Sequence, residues 1–246
     1  MLTSYCCFLR FTRILLEEYG SHLARLATAI FGAMAENLHL DPELSKTYIS
    51  ESTGFVRVYR YPQCSMENEA WGINVHTDSS VLSVLNQDQV AGLQVLKDDN
   101  WLQVKPIPDT LIFNLGDMMQ AISDDKYKSV KHRVKLNKEK DRFSICYFVF
   151  PAEGSVIHSS KYRPFTYSDF QAQVQQDVKT LGFKVGLERF RAAERELDFN
   201  GDGACTNGVG DHELIYSLFR LFLPSEMANG GGVIFHEPWQ SYHAVL

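Results

Sequence analysis

Five side chains in this sequence have types and spacings that could do chemistry together. His76 and Asp78 stand two apart in "INVHTDSS", within a run of strand-forming residues. Side chains at i and i+2 of a strand project to one side, so the imidazole and carboxylate would point together while Thr77 turns away. His132 lies in the alternating run "KSVKHRVKL", and Arg142 and Ser144 share one face of "DRFSICYF". Singly, each has an ordinary explanation: a His–Asp pair near a strand end, a structural histidine, an arginine in a surface ion pair. Jointly they form a donor set. Two imidazoles and one carboxylate on one face of a metal leave the opposite positions open, as in non-haem Fe(II) oxygenases, where substrate and dioxygen must both reach the iron. Arg142 adds a fixed cation that a zinc hydrolase would not need. A guanidinium fork beside the Ser144 hydroxyl suits a carboxylate held bidentately, such as the far end of a 2-oxoglutarate whose near end chelates the metal.

Such a site needs a scaffold that brings distant strands together. From Thr53 the chain supplies one: "FVRVYRY", "SVLSVL", "LQVLK", "WLQVK", "TLIFNL" and "RFSICYFVF" are short, β-branched or aromatic, and often alternating. "KDDN" has the composition of a hairpin loop. Closely spaced strands without intervening helices indicate a sandwich, jelly roll or barrel. Before them, Leu16, Tyr19, Leu23, Leu26, Ile30 and Met34 recur at helical spacing with alanines between, an amphipathic helix against a larger body. A second short helix follows, with Asp41 as N-cap and Pro42 at its first position. After the strands, "FTYSDFQAQVQQDVKTLG" returns to helix, capped by Thr166 or Ser168 and stopped by Gly182. Beyond Arg191 there are glycine clusters and one apolar stretch, Leu214–Phe222, but no strand pattern.

Composition narrows the partners. The chain has 246 residues, 45% hydrophobic and 22% charged, which is enough to bury a sizeable core. A net charge of −6 gives no reason to expect nucleic acid or an anionic membrane as partner. No apolar run approaches the ~18 residues of a membrane span. The apolar start is broken by Arg10 and Arg13 and has no small-residue cleavage site, which argues against a signal peptide. Cys6, Cys7, Cys64, Cys146 and Cys205 are odd in number and scattered, as expected of reduced thiols in the cytoplasm.

From Glu17 to Arg191 the sequence resembles the plant 2-oxoglutarate- and Fe(II)-dependent dioxygenases, and among them the gibberellin 2-oxidases. The likeness is carried by "VRVYRYPQC", "NVHTDSSVLSVLNQDQVAGLQVLKDDNWLQVKPIP", "NLGDMMQAISDDKYKSVKHRV", "RFSICYFVFP" and "YRPFTYSDF". It implies that His76, Asp78 and His132 hold iron, and that Arg142 and Ser144 hold 2-oxoglutarate. Tyr61 matches a cosubstrate tyrosine of an "NYYP"-type strand, although Tyr59 stands where that motif has Asn. It further implies a mainly β fold with flanking helices, a double-stranded β-helix or jelly roll. The implied activity is hydroxylation of a small apolar carboxylate, with 2-β-hydroxylation of a gibberellin first in line. A related plant dioxygenase acting on another small molecule and a catalytically impaired remnant stand as alternatives.

The expected organisation is a divergent leader at 1–13, N-terminal helices at 14–50, the dioxygenase domain with its C-terminal helix at 51–191, and an atypical, poorly ordered tail at 192–246. Family members carry a further segment before the Leu16 helix, which "MLTSYCCFLRFTR" does not resemble. The chain therefore reads as a truncated or alternatively spliced form, from which weak or absent activity is expected. "DFNGDG" starts like a calcium-binding EF-hand loop, but the twelfth position is Val209 rather than Glu, so a glycine-rich turn is the expected structure. His236 and His243 are expected at the surface.

Overall fold

The computed structural model describes residues 2–65, 70–192, 215–216 and 218–222, with side chains described from residue 12 to residue 192 within those ranges. Helix α1 (Leu2–Asn37) begins well before the Leu16 that apolar spacing marks. Nothing in "LTSYCCFLRFTR" stops it, since the stretch contains neither Pro nor Gly. Its buried stripe is Leu23, Ala24, Ala27, Phe31, Met34 and Ala35, while Leu26 and Ile30 are only partly buried against the core. The alanines are thus the contact surface rather than filler, and they let the helix lie close to the sheet beneath. Asp41 caps α2 (Pro42–Ser45) by accepting from the Glu43 and Leu44 N–H groups, with Pro42 at the first position.

Six strands follow: β1 (Ser50–Tyr61), β2 (Trp71–His76), β3 (Leu82–Gln87), β4 (Leu93–Lys97), β5 (Asn100–Gln103) and β6 (Thr110–Leu115). A short helix α3 (Asp117–Ile122) leads into β7 (Tyr127–Lys128), β8 (His132–Lys135) and β9 (Arg142–Phe150). The small ribbon β10 (Val156–Ile157) and β11 (Phe165–Thr166) precedes helix α4 (Tyr167–Leu181), a 3-10 helix at Gly186–Phe190, and the strands β12 (Ile215–Tyr216) and β13 (Leu218–Phe222). Asp98 and Asp99 both take positive φ in the tight β4–β5 hairpin, which Asp tolerates better than most residues. Thr166 and Asp169 form a reciprocal capping box on α4, and Gly182 ends it at φ +83.

The strands form a five-stranded sheet, β1-β9-β3-β6-β13, and a four-stranded sheet, β2-β8-β4-β5. This is the double-stranded β-helix, mainly β with flanking helices. An apolar layer of Tyr61, Leu93, Val95, Ile112 and Val134 fills the space between the sheets. On the other face of the larger sheet, Leu82, Val84, Leu111, Phe113 and Val149 pack with α1 and α4. Strand β6 is buried at all six positions because both of its faces are covered. Alternation along β3 and β9 therefore assigns one set of side chains to the helices and the other set to the inter-sheet space.

Among the described residues beyond Ala192, two short strands appear where the sequence shows no strand pattern. Strand β13 pairs antiparallel with β6, from Leu218 opposite Asn114 to Phe222 opposite Thr110, and β12 runs parallel to β7. The apolar stretch that shows no strand pattern in sequence is extended because an open sheet edge offers it backbone partners, a tertiary effect that local pattern does not register. The EF-hand-like turn, His236 and His243 lie outside the described residues.

Candidate functional site

His76 closes β2 and pairs across the sheet with His132, the first residue of β8, with ring centroids 4.2 Å apart. Asp78 lies beyond the end of β2, so its direction comes from a loop rather than from strand pleating. That loop is held by the start of α3. The Asp117 N–H donates to the Asp78 carbonyl at 2.8 Å, and the Met118 N–H donates to the Ser80 carbonyl at 3.2 Å. Gly116 permits this approach, because a β-carbon there would collide with the Ser80 carbonyl.

The ligand atoms of His76, Asp78 and His132 all lie within 4.8 Å of one another. Asp78 Oδ1 is 3.7 Å from His76 Nε2 and 3.6 Å from His132 Nε2. The far ring nitrogens settle the tautomers. His76 Nδ1 donates to the Asn74 carbonyl at 2.7 Å, and His132 Nδ1 donates to the Val130 carbonyl at 3.1 Å. Both Nε2 atoms then face the carboxylate. Burial, and after it the neighbouring His132, push the His76 imidazole below its ordinary range and favour its neutral form. Burial would raise the Asp78 carboxyl, but the two imidazoles and hydrogen bonds from Ser83 and Asn114 outweigh it and hold the group ionised. Those bonds, 2.8 Å from Ser83 Oγ and 2.6 Å from Asn114 Nδ2, both end on Oδ2 and leave Oδ1 for the histidines. Two imidazole nitrogens and one carboxylate oxygen converge, a donor set that a divalent cation satisfies.

Deeper in the same cavity, Arg142 is 1% exposed. Its Nη2 donates to Gln87 Oε1 at 2.7 Å, its Nη1 reaches Ser144 Oγ at 3.4 Å, and its guanidinium lies 5.1 Å from the Tyr61 ring centroid. Among the described residues it forms no ion pair, and its Nε and Gln87 Nε2 have no partner. A buried cation without an anion is costly, so this end of the cavity is suited to an anionic ligand. Gly92 makes the room, since a β-carbon there would lie 2.9 Å from Arg142 Cδ. Tyr59 stacks on Tyr61 at 5.8 Å, and its hydroxyl accepts a long bond of 3.4 Å from Arg57.

The structure thus brings together all six residues singled out from sequence: His76, Asp78, His132, Tyr61, Arg142 and Ser144. Ser83, Gln87 and Asn114, which orient the others, were not anticipated. A signal was present for Asn114, the one polar residue inside the apolar run of "TLIFNL" after its first position, and it lines the cavity. "LSVLNQ" is half polar and gives no such signal for Ser83 and Gln87.

Residues 52–151 match the 2OG-Fe(II) oxygenase superfamily. The chain is 44% identical over 179 residues to gibberellin 2-beta-dioxygenase 8 of Arabidopsis thaliana, covering 71% of this chain and 53% of that protein. It is 39% identical over 189 residues to gibberellin 2-beta-dioxygenase 6 of Oryza sativa subsp. japonica, covering 72% and 53%. Among solved structures, that of JOX2 in complex with 2OG, Fe and JA matches with a TM-score of 0.64 and 31% identity, over 72% of this chain and 56% of that one. The chain spans about half the length of the curated relatives it matches. Iron and 2-oxoglutarate, the pair for which the superfamily is named, fit the lone-pair triad and the anion-seeking arginine respectively. On sequence, fold and the chemistry of its cavity, residues 52–151 form a 2OG-Fe(II) oxygenase domain, and the chain around it is similar to plant gibberellin 2-beta-dioxygenases.

Proposed function

We propose that this chain is a 2-oxoglutarate- and Fe(II)-dependent dioxygenase that hydroxylates a gibberellin, at C2 by likeness to the relatives named above. One observation carries the reading: a triad of converging lone pairs and a buried, unpaired arginine share one cavity. His76 Nε2, Asp78 Oδ1 and His132 Nε2 would hold the iron, and Arg142, Ser144 and Tyr61 the distal carboxylate of 2-oxoglutarate. Bound there, the iron and cosubstrate supply the oxidising power, coupling decarboxylation of 2-oxoglutarate to hydroxylation of a C–H bond. The protein's part is placement. Ser83 and Asn114 fix which carboxylate oxygen faces the metal, while the Asn74 and Val130 carbonyls fix the imidazole tautomers. Ile73, Leu85, Val95 and Ile112 line the remaining wall and exclude water. The free thiols of Cys64 and Cys146 suit a reducing cytoplasm.

A second reading, a related oxygenase acting on another small acid, draws on the likeness to the structure solved with JA. One assay decides between them: succinate release with Fe(II) and 2-oxoglutarate, alone and with a panel of gibberellins and other small acids, with products read by mass spectrometry. Gibberellin-stimulated succinate and a product heavier by one oxygen support the first reading. Stimulation only by another acid moves the assignment to the second. Succinate with no substrate and with every substrate at background level refutes both.

A further inference from the structure

Lys184 lies outside the cavity and belongs to the segment after α4, between the Gly182 cap and the 3-10 helix. Its Nζ donates to the Thr77 carbonyl at 2.8 Å and to Ser79 Oγ at 3.0 Å, and pairs with Asp117 Oδ2 at 2.6 Å. Both partners are well covered, with side chains 16% and 5% exposed. Thr77 and Ser79 flank Asp78 on either side, and Thr77 is the residue between the two proposed ligands His76 and Asp78. Asp117 completes the hold. Its backbone N–H bonds the Asp78 carbonyl at 2.8 Å, and its carboxylate accepts from Thr77 Oγ1 at 3.3 Å. Three consecutive residues of the loop are therefore tied to one buried ion pair.

We infer that Lys184 and Asp117 are positioning residues for the metal centre, a clasp through which the C-terminal segment holds the His76–Thr77–Asp78 turn in its ligand-converging shape. The inference rests on the metal-site reading above and adds a function that ligand identity does not contain. Asp78 is beyond the end of β2, so no strand ladder fixes it. The clasp does what a ladder would otherwise do. A simple structural role, tethering the C-terminal segment to the barrel, would use the same contacts but would not set metal affinity. The two roles differ in what a variant loses.

The test is Mn(II) binding to the whole metal-free chain, followed by calorimetry and by the Mn(II) EPR signal. The variants are Lys184→Met, Lys184→Gln and Lys184→Arg, and melting is recorded without metal. Partners that orient ligands typically contribute 10–100-fold in metal affinity, so Lys184→Met should weaken Mn(II) binding by about 10-fold or more. Arginine should restore most of that loss. At saturating Mn(II), 2-oxoglutarate affinity should be unchanged, because Arg142 is untouched. Should Lys184→Met fail to fold, Lys184→Gln, which keeps a donor and loses the charge, decides on the same readings. A folded variant with lowered melting but wild-type Mn(II) affinity makes the pair a tether and overturns the inference alone. Wild-type protein that binds no Mn(II) overturns both the inference and the metal-site reading.

Discussion

Asp78 and Asp125 are both largely buried carboxylates surrounded by several partners, yet they are partnered in opposite ways. Asp125, in the turn after α3, accepts from Tyr162 Oη at 2.5 Å and Gln120 Nε2 at 3.0 Å on one oxygen. Its other oxygen faces Arg191 Nη1 at 2.7 Å and Lys128 Nζ at 3.5 Å. Every lone-pair direction meets a proton or a cation. Asp78 receives two hydrogen bonds on Oδ2 only, and its Oδ1 faces the Nε2 atoms of two imidazoles. The first carboxylate is complete within the protein. The second is complete only with something positive added. A buried charge satisfied by fixed partners holds structure, and one left facing other donors marks a binding site.

The sharpest way to break this contrast is Asp78→Asn. It should reduce Mn(II) affinity by more than the ~100-fold seen at the upper end for outer partners, because it removes a ligand itself. Metal-free melting should fall only modestly, since the fold favours the ionised carboxyl but Asn keeps an acceptor for the Ser83 and Asn114 bonds. A marked drop in metal-free melting would show Asp78 to be a structural group after all. Next in size is Arg142→Ala, which should weaken 2-oxoglutarate binding by about 2–5 kcal/mol while leaving Mn(II) binding nearly intact. Arg142→Lys should recover only part of this, lacking the planar fork. Unchanged 2-oxoglutarate affinity in a titration at saturating Mn(II) would remove Arg142 from the site. The converse of Asp78→Asn is Asp125→Asn, which should cost about 1.5–3 kcal/mol of stability in urea unfolding and leave Mn(II) affinity at the wild-type value.

The same contrast explains what was legible in the sequence. The triad and the R-x-S pair stood out because histidine, aspartate and arginine are uncommon in strand patterns. "RFS" places its partners on one face of β9, whereas in "HTD" the loop after β2, not strand pleating, directs Asp78. Caps at Asp41, Thr166 and Gly182 and the "KDDN" turn were readable for the same local reason. What escaped was non-local. Asp125 collects partners from Tyr162 and Arg191, which are far along the chain, and Lys184 reaches back to Thr77 across most of the barrel. Helix α3 is too short to show a period, and its work is done by backbone N–H groups. Strand β13 is specified by an available edge on β6 rather than by its own alternation.

The smallest expected effect is in the pH dependence of metal-free stability, and it separates the two carboxylate regions by where on the pH axis each acts. Burial would raise the Asp125 carboxyl, but the bonds from Tyr162, Arg191 and Gln120 bring it from 3.8 down to about 2. Its folded value is depressed, so the unfolded chain binds more protons between those limits. The stability it contributes is present above the ordinary carboxylate value near 3.8 and lost as pH falls towards about 2. His76 is also depressed, by burial and by His132, from an ordinary value of 6.5. Stability that depends on its neutral form is therefore lost as pH falls below 6.5, before the Asp125 contribution is touched. Urea midpoints measured from pH 8 to pH 2.5 should show two declines. Asp125→Asn should reduce the acid one, which Asp125 shares with the other depressed carboxyls of Asp78, Asp141, Asp169 and Asp177. It should spare the one below 6.5, and His76→Gln should do the reverse. Saturating Mn(II) should steepen the decline below 6.5 and leave the contribution of Asp125, which is no ligand, unchanged, because protons and metal compete for the ligand atoms of the triad. If Asp125→Asn leaves the acid limb unchanged, the charge at Asp125 is not what its four partners are holding, and the contrast with Asp78 loses one of its two sides.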